Sequence, residues 1–579
     1  MNFLSKLKED KIFAITFLLI IFLGLFIRLY EYDQVGLWND DVSTIPSGLL
    51  WFYPHSYFPG LSGHSEPPVG NILIGAGCML SGEDFSKVSE IKPTFYPGRE
   101  ELIGQELSNA GLWCHSSIYL FGILFFIAII ILSFSLLGRY SALFSAGFFA
   151  FYPIILRFSR WIHVDIILYF LITIFLLFLW RFYNSEKNSK KEFYFLILSA
   201  IFLALASATK FSIGIFIFFT MIMISDKYKS ELKSLIKKFL EVLKLDLANK
   251  ISNGIDCKRL VLIMFGFFTT FIIAFLTPFK FSIKNAYNVY YKYTTFTGPK
   301  FAEIGFNINI FKTLLHSTIV NINIIESILF LFSIFIFLKM MFSNKNKKDK
   351  FIFYATCLSL ISMILFSQAL EFERIFVPYL IPIIFLISLA FSEEKYSIFN
   401  VFKITRKKLF FYFFIIIYLI YSVFIGISSS PYFEAINPLF CHFEEDGCIV
   451  PLSQYSSRAV ADYLSKTLKD DETFLMSGVS EGVIYYYIRQ EQSFSIWSFD
   501  ELARRNLNRD PTFEEKIGFF HPSNQIVRYI ILNPNPSIRR NYADKFLIDL
   551  KENFEPNHKI KLNNRDAAWI YDLQSLRNK

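Results

Sequence analysis

The segment SSIYLFGILFFIAIIILSFSLLG, residues 116–138, contains no charged side chain. A helix needs about 20 residues to cross the roughly 30 Å hydrocarbon core of a bilayer, so this segment is long enough to span it. Three more segments of similar length also lack charges: 260–279, 351–370 and 409–430. Because backbone amides in lipid must be hydrogen-bonded within their own segment, we predict that all four are transmembrane helices.

The same test along the whole chain predicts an α-helical polytopic membrane protein with about eleven transmembrane helices. The composition agrees with this class, since 54% of the residues are hydrophobic and 71 are Phe. The predicted spans centre on residues 12–28, 116–138, 140–157, 163–181, 193–209, 211–225, 260–279, 315–338, 351–370, 375–392 and 409–428.

The net charge of +9 follows from membrane topology and does not indicate a nucleic-acid partner. If the N-terminus is cytoplasmic, every short basic cluster falls on the cytoplasmic side, which agrees with the excess of Lys and Arg in cytoplasmic loops of membrane proteins. We therefore predict a multi-pass protein of the cell membrane with a cytoplasmic N-terminus and an extracytoplasmic C-terminal region. The basic clusters lie near residues 6–11, 187–191, 227–259, 345–350 and 403–408.

Two regions are predicted. Residues 1–430 form the transmembrane domain, whose first outer loop, 30–115, is long enough to carry helices of its own. Residues 431–579 have the composition of a soluble α/β domain, with a helix at 457–469 and strands at 474–476 and 527–532. Cys441 and Cys448 bracket a short acidic loop that a disulfide would close in an oxidising compartment, with a zinc site as the weaker alternative.

Charged and polar residues from distant segments are predicted to meet at the outer ends of the spans. A single charged residue at the end of a span can simply extend its side chain into the water. Acids and bases from several segments at one face instead indicate a functional site. Asp165, just inside the start of a span, is expected to pair with Arg160 or Lys210. The candidate residues are Asp40, Asp41, His64, Glu66, Arg160, Asp165, Lys210, Arg374 and Tyr379.

This inventory suits the transfer of a sugar from a lipid-linked phosphate. A phosphate with a second pKa near 6 leaves without a general acid. The site then needs a carboxylate to accept the proton of an acceptor hydroxyl, and cations to hold the departing phosphate. A single displacement of this kind inverts the sugar carbon.

The motifs resemble those of GT-C type membrane glycosyltransferases, and most closely the dolichyl-phosphate-mannose-protein mannosyltransferases and the aminoarabinose-transferring lipid A enzymes. Asp40-Asp41 is similar to the acidic signature of their first outer loop. Four further elements follow in the family's order, and the resemblance runs from about residue 20 to 390. They are Glu66-Pro67-Pro68-Val69-Gly70-Asn71, the stretch from Ala142 to Leu168, Ala208-Thr209-Lys210-Phe211, and Glu373-Arg374 through Pro382.

The resemblance implies that Asp40 is the catalytic base and that Asp41 orients the acceptor or assists. It places Arg160, Lys210 and Arg374 on the donor phosphate, with supporting roles for Asp165, Glu66, His64 and Tyr379. Glu66 and Asn71 depart from the family pattern, so the acceptor, whether protein, lipid or glycan, stays open.

We expect no cofactor, and a divalent metal at Asp40 and Asp41 is the less favoured alternative. The expected partners are a polyprenyl-phosphate sugar, its acceptor and membrane lipids. A lipid-linked glycan flippase is the competing function. An O-antigen-ligase-like enzyme that uses a diphosphate donor is a further alternative.

Overall fold

The structure, a computed structural model, describes residues 10–30, 41–53, 67–85, 105–233, 255–291, 324–342, 346–365, 377–392, 397–429, 457–469, 472–477, 494–495, 526–532, 550, 554–562 and 565–577. Helices dominate up to residue 429. They are α1 (Lys11–Leu29), α2 (Asp41–Leu49), α3 (Pro68–Met79), α4 (Gln105–Leu136), α5 (Arg139–Phe151), α6 (Pro153–Phe158), α7 (Asp165–Asn184), α8 (Lys190–Ser207), α9 (Phe216–Lys227), α10 (Ile255–Leu276), α11 (Ile324–Phe342), α12 (Lys347–Leu365), α13 (Val377–Ser388), α14 (Ile398–Val401) and α15 (Lys407–Ser429).

Within the described residues, six helices are long and apolar enough to cross a membrane, and each coincides with a predicted span. The other five predicted spans also contain helix, but these helices are shorter, interrupted or more charged, so the number eleven is not confirmed. The result is a multi-pass membrane protein. The six segments are Lys11–Leu29, Trp113–Leu136, Asp165–Asn184, Leu260–Phe279, Ile325–Phe342 and Lys407–Ile425.

The predicted span 140–157 is wrong as a continuous helix. Helix α5 ends at Phe151, and α6 starts at Pro153 after Tyr152, whose φ of −64° and ψ of 116° are extended. Proline has no N–H to continue the hydrogen-bond ladder, and it disfavours helical geometry in the residue before it. The helix is therefore interrupted at this point, and carbonyl groups at the end of α5 need partners outside the helix.

Helix α7 is the central helix, and its neighbours α4 and α8 pack along it, while α1 packs against α5. Most of its apolar side chains are buried. The peripheral helices instead present large apolar side chains outwards, such as Ile15 of α1, Phe265 of α10 and Phe424 of α15. Apolar surface of this extent is typical of a face that contacts lipid.

The predicted outer loop contains α2, α3 and the start of α4. Helices α2 and α3 touch through glycines, because a Cβ on Gly48 would lie 2.7 Å from the backbone nitrogen of Gly75. A disulfide between Cys78 and Cys114 joins the last turn of α3 to α4. The predicted bond between Cys441 and Cys448 lies outside the described residues.

The C-terminal region contains a five-stranded sheet in the order β2-β1-β3-β5-β4. Strands β1 and β3 confirm the two predicted strands and pair in parallel, whereas β5 pairs antiparallel with both β3 and β4. The predicted helix 457–469 is observed as α16 (Ser457–Thr467), whose Val460 and Leu464 pack with Phe474 in a separate core. The strands are β1 (Glu472–Ser477), β2 (Phe494–Ser495), β3 (Ile526–Leu532), β4 (His558–Leu562) and β5 (Arg565–Asp572), followed by helix α17 (Leu573–Arg577).

Candidate functional site

Arg160 holds the C-terminal end of α1. Its Nη2 donates to the carbonyl oxygen of Ile27 at 2.9 Å and also to that of Tyr30. The last carbonyls of a helix have no partner inside it, and a buried cation there also complements the negative end of the helix dipole. The loop that carries Asp40 and Asp41 leaves α1 at Tyr30, so Arg160 fixes the point where this loop begins.

Arg28, in the last turn of α1, binds the C-terminal end of α5 in the same way. Its guanidinium donates to the carbonyl oxygens of Phe149 at 3.0 Å and Ala150 at 3.1 Å. These carbonyls lie in the last turn of α5, and Pro153, which has no N–H, follows directly. The guanidinium also stacks on the ring of Phe126, at 4.4 Å from its centroid. The sequence analysis did not select Arg28, because the carbonyls that it binds belong to a helix more than 120 residues further along the chain.

Asp165 is the first residue of α7, so this helix begins later than the predicted span, which started at residue 163. Its Oδ1 accepts a hydrogen bond from Nζ of Lys210 at 2.8 Å, which confirms one of the two predicted pairs. Its Oδ2 lies 2.7 Å from Nδ1 of His163. All three side chains are buried, and the N-terminal end of α7 adds a favourable dipole for the carboxylate.

The Pro67-Pro68-Val69-Gly70 element brings α3 onto this cluster. Pro68 occupies the first position of α3, where a missing N–H costs nothing. The backbone N–H of Val69 donates to the carbonyl of Ala208 at 3.1 Å, immediately before the Lys210 segment. A Cβ on Gly70 would lie 2.4 Å from Cγ1 of Val164, so only glycine allows this approach.

Tyr379 places the start of α13 at the same end of the protein. Its hydroxyl donates to the carbonyl of Ser212 at 3.2 Å, two residues after Lys210. Its ring stacks on Phe216 at 5.8 Å between centroids and 5° between planes. Arg374 precedes this helix by three residues and lies outside the described part of the chain.

Four of the predicted site residues therefore have described positions at one end of the helices. Arg160, Asp165 and Lys210 are buried beside the ends of α1, α7 and α8, and Tyr379 adjoins Lys210 through Ser212. Asp41 is the first residue of α2. His64, Glu66, Asp40 and Arg374 fall outside the described residues. His163 belongs to the cluster by contact, although the sequence analysis assigned it no role.

The described residues contain no group of three His, Cys, Asp or Glu side chains that could hold a metal ion. Asp40 is not among them, so metal independence stays a prediction. Most of the charged side chains described at this site are cationic. Arg28 and Arg160 each bind carbonyl groups at a helix end, and Lys210 is paired with the carboxylate of Asp165.

The chain is a multi-pass membrane glycosyltransferase, because its apolar helices occur together with a match to a transferase family over residues 18–238. The family is described as dolichyl-phosphate-mannose-protein mannosyltransferase. The match contains Asp40, Asp41, Arg160, Asp165 and Lys210, and it confirms the predicted resemblance and enzyme class. No curated protein matches the sequence.

Several solved structures are partly similar in fold. Apo ArnT from Cupriavidus metallidurans has 12% identity and a TM-score of 0.48, with 96% of this chain and 97% of ArnT covered. The oligosaccharyltransferase of Archaeoglobus fulgidus has 12% identity and a TM-score of 0.46, with 89% and 67% covered. The S. cerevisiae Pmt1-Pmt2 O-mannosyltransferase complex has 17% identity and a TM-score of 0.30, with 47% and 34% covered.

Proposed function

We propose that this protein is an inverting glycosyltransferase that moves a sugar from a polyprenyl-phosphate donor to an acceptor hydroxyl on the extracytoplasmic face of the membrane. The observation that carries the proposal is the family match over residues 18–238, which contains both predicted catalytic acids and the buried residues Arg160, Asp165 and Lys210. The acceptor is a hydroxyl of a protein, a lipid or a glycan.

In this mechanism Asp40 accepts the proton of the acceptor hydroxyl as its oxygen attacks the sugar carbon. The bond to the donor phosphate breaks on the opposite side, so the configuration at that carbon inverts. The phosphate leaves as an anion and needs no proton, because its second pKa is near 6. Asp41 orients the acceptor, and cations stabilise the charge that grows on the leaving phosphate.

The electrostatics of the described site support an anionic leaving group. Arg28, Arg160 and Lys210 are all buried, and Lys210 is paired with the carboxylate of Asp165. Buried cations exert a strong field on an incoming phosphate, since little water screens them. Arg374 would add a guanidinium to this set, and a planar fork of donors suits phosphate oxygens.

Two features support an extracytoplasmic site. The basic clusters of the sequence lie on the side opposite the 30–115 loop in the predicted topology. The Cys78–Cys114 disulfide lies at that loop, and disulfides persist in oxidising compartments outside the cytosol.

The test is transfer by the reconstituted full-length protein, measured as release of polyprenyl phosphate from a panel of polyprenyl-phosphate sugars. Asp40→Asn should lower the rate by about 10²- to 10⁴-fold, the usual range for a lost general base. Asp462→Asn, at an exposed position of α16, is the matched control and should retain activity. Full activity of the Asp40 variant would refute the assigned base. A chelator should leave the wild-type rate unchanged if the site works without metal.

One observation favours a lipid-linked glycan flippase. Transporters often place broken helices and buried ionisable groups at their substrate pathway, and buried Arg28 binds the carbonyls just before the break at Pro153. The two functions differ in their products. A flippase moves the intact donor between leaflets and releases no polyprenyl phosphate, whereas a transferase releases it in step with the glycosylated acceptor.

A further inference from the structure

A second polar cluster lies at the other end of α1 from Arg160. A helix rises about 1.5 Å per residue, so the 19 residues of α1 place this cluster about 28 Å from the candidate site. Asp10 caps the helix here, with its Oδ1 accepting from the N–H of Phe13 at 3.2 Å. That separation is close to the thickness of a bilayer core, so the two ends of α1 lie at opposite membrane boundaries.

Asp10 ties three elements together. Its Oδ2 lies 3.0 Å from Nζ of Lys408 and 3.3 Å from Nη1 of Arg139, and it accepts from the hydroxyl of Tyr412 at 3.3 Å. Burial raises the pKa of this carboxyl, but the Lys408 ammonium and the Phe13 N–H outweigh burial and lower the pKa below its ordinary value. Asp10 is therefore ionised at neutral pH and compensates one of its two cationic neighbours.

A cavity of about 760 Å³ opens beside this cluster, at the start of α15. Arg406, Lys407 and Lys408 form the basic part of its lining, while Tyr140 and Tyr412 add aromatic surface. Lys407 donates to the neutral amide oxygen of Asn400 at 2.8 Å. Arg406 is exposed and makes no ion pair with any described residue. The cavity therefore has positive charge that no described carboxylate neutralises.

Part of the cavity lining is apolar. Ile12 and Leu409 line it and are 51% and 64% exposed. Each is near the first turn of a helix that is long and apolar enough to cross a membrane. The cavity therefore offers both basic and apolar groups at the level where lipid headgroups meet acyl chains.

We propose that this cavity binds an anionic phospholipid of the adjacent leaflet. The lipid phosphate contacts Arg406 and Lys407, and the start of an acyl chain covers Ile12 and Leu409. A guanidinium with free donors suits a phosphate, and basic pockets between membrane helices are known to take anionic headgroups. A free phosphate ion would use only the basic groups, whereas a phospholipid also covers Ile12 and Leu409, which is why a lipid is the better fit.

The experiment compares lipid binding to the full-length protein in detergent by native mass spectrometry, with dioleoyl-phosphatidylglycerol and dioleoyl-phosphatidylcholine as probes. Wild type should retain phosphatidylglycerol in preference to phosphatidylcholine. The double variant Arg406→Gln/Lys407→Gln should weaken phosphatidylglycerol binding by about 30-fold, equivalent to about 2 kcal/mol for two basic groups. Arg406→Gln alone should weaken it about 5-fold, and it leaves the Asp10 contacts in place.

The matched control is Lys190→Gln/Lys191→Gln, which removes two exposed charges from the start of α8, away from the cavity. It should change binding by no more than about 2-fold. Excess inorganic phosphate should not displace the lipid. The proposal would be overturned if wild type retained both lipids equally, or if the control variant lost as much binding as the double variant. Displacement of the lipid by phosphate would also overturn it and would assign the site to a free anion. Transferase activity is not part of the readout, so the result is independent of the proposed function.

Discussion

The ion pair between Asp165 and Lys210 should couple the ends of α7 and α8 strongly. The two charged groups are 2.8 Å apart, with side-chain exposures of 0% and 7%. Removal of one partner from a buried pair costs about 3–5 kcal/mol, because it leaves the other charge buried without compensation. Asp165→Asn is expected to reduce the free energy of unfolding by that amount, whereas Lys210→Met should cost less, because Asp165 also contacts His163 at 2.7 Å.

The double variant should cost less than the sum of the single variants, with a coupling energy of about 1–3 kcal/mol. The assay is unfolding of the purified full-length protein in detergent, followed as a double-mutant cycle. Lys187→Met provides the control, because its pair with Glu231 has the same 2.8 Å separation but Lys187 is 42% exposed. That variant should lose less than about 1 kcal/mol. The coupling would be refuted if the loss of the double variant equalled the sum of the two single-variant losses to within about 0.5 kcal/mol.

Three other predictions concern packing, capping and redox state. Gly70→Ala should destabilise the protein by about 1–3 kcal/mol in thermal unfolding because its Cβ has no room, whereas Gly214→Ala, with open space around it, should be tolerated. Arg28→Met should cost about 2–6 kcal/mol, since two buried carbonyls lose their donors at about 1–3 kcal/mol each, and a loss below about 1 kcal/mol would contradict the cap. Mass spectrometry of unreduced protein should find Cys78 joined to Cys114, and free alkylation of both thiols would count against an oxidising environment.

The transmembrane class could be predicted from the sequence because it depends on a local property. A segment such as 260–279 without charges has the length and hydropathy to cross a bilayer whatever surrounds it. The strands at 474–476 and 527–532 were likewise predictable from short apolar runs. The candidate acids and bases could be selected by their order along the chain, but their contacts could not.

The predicted span 140–157 shows where local reasoning failed. Hydropathy does not register that Pro153 removes an N–H, so an apolar segment was predicted as one helix although the chain breaks at Tyr152. The role of Arg28 follows from that break. A side chain finds a carbonyl of a distant helix only after both helices have packed, and no residue type marks a free carbonyl in the sequence.

The sequence by itself therefore determined the membrane class, the apolar segments and the residue types available for chemistry, since each depends on composition over a short window. Tertiary structure alone decided that Lys210 pairs with Asp165, that Arg160 closes the end of α1 and that a basic cavity forms beside Asp10. These contacts join residues far apart in the chain. Their energies come from burial and distance, which are properties of the packed helices.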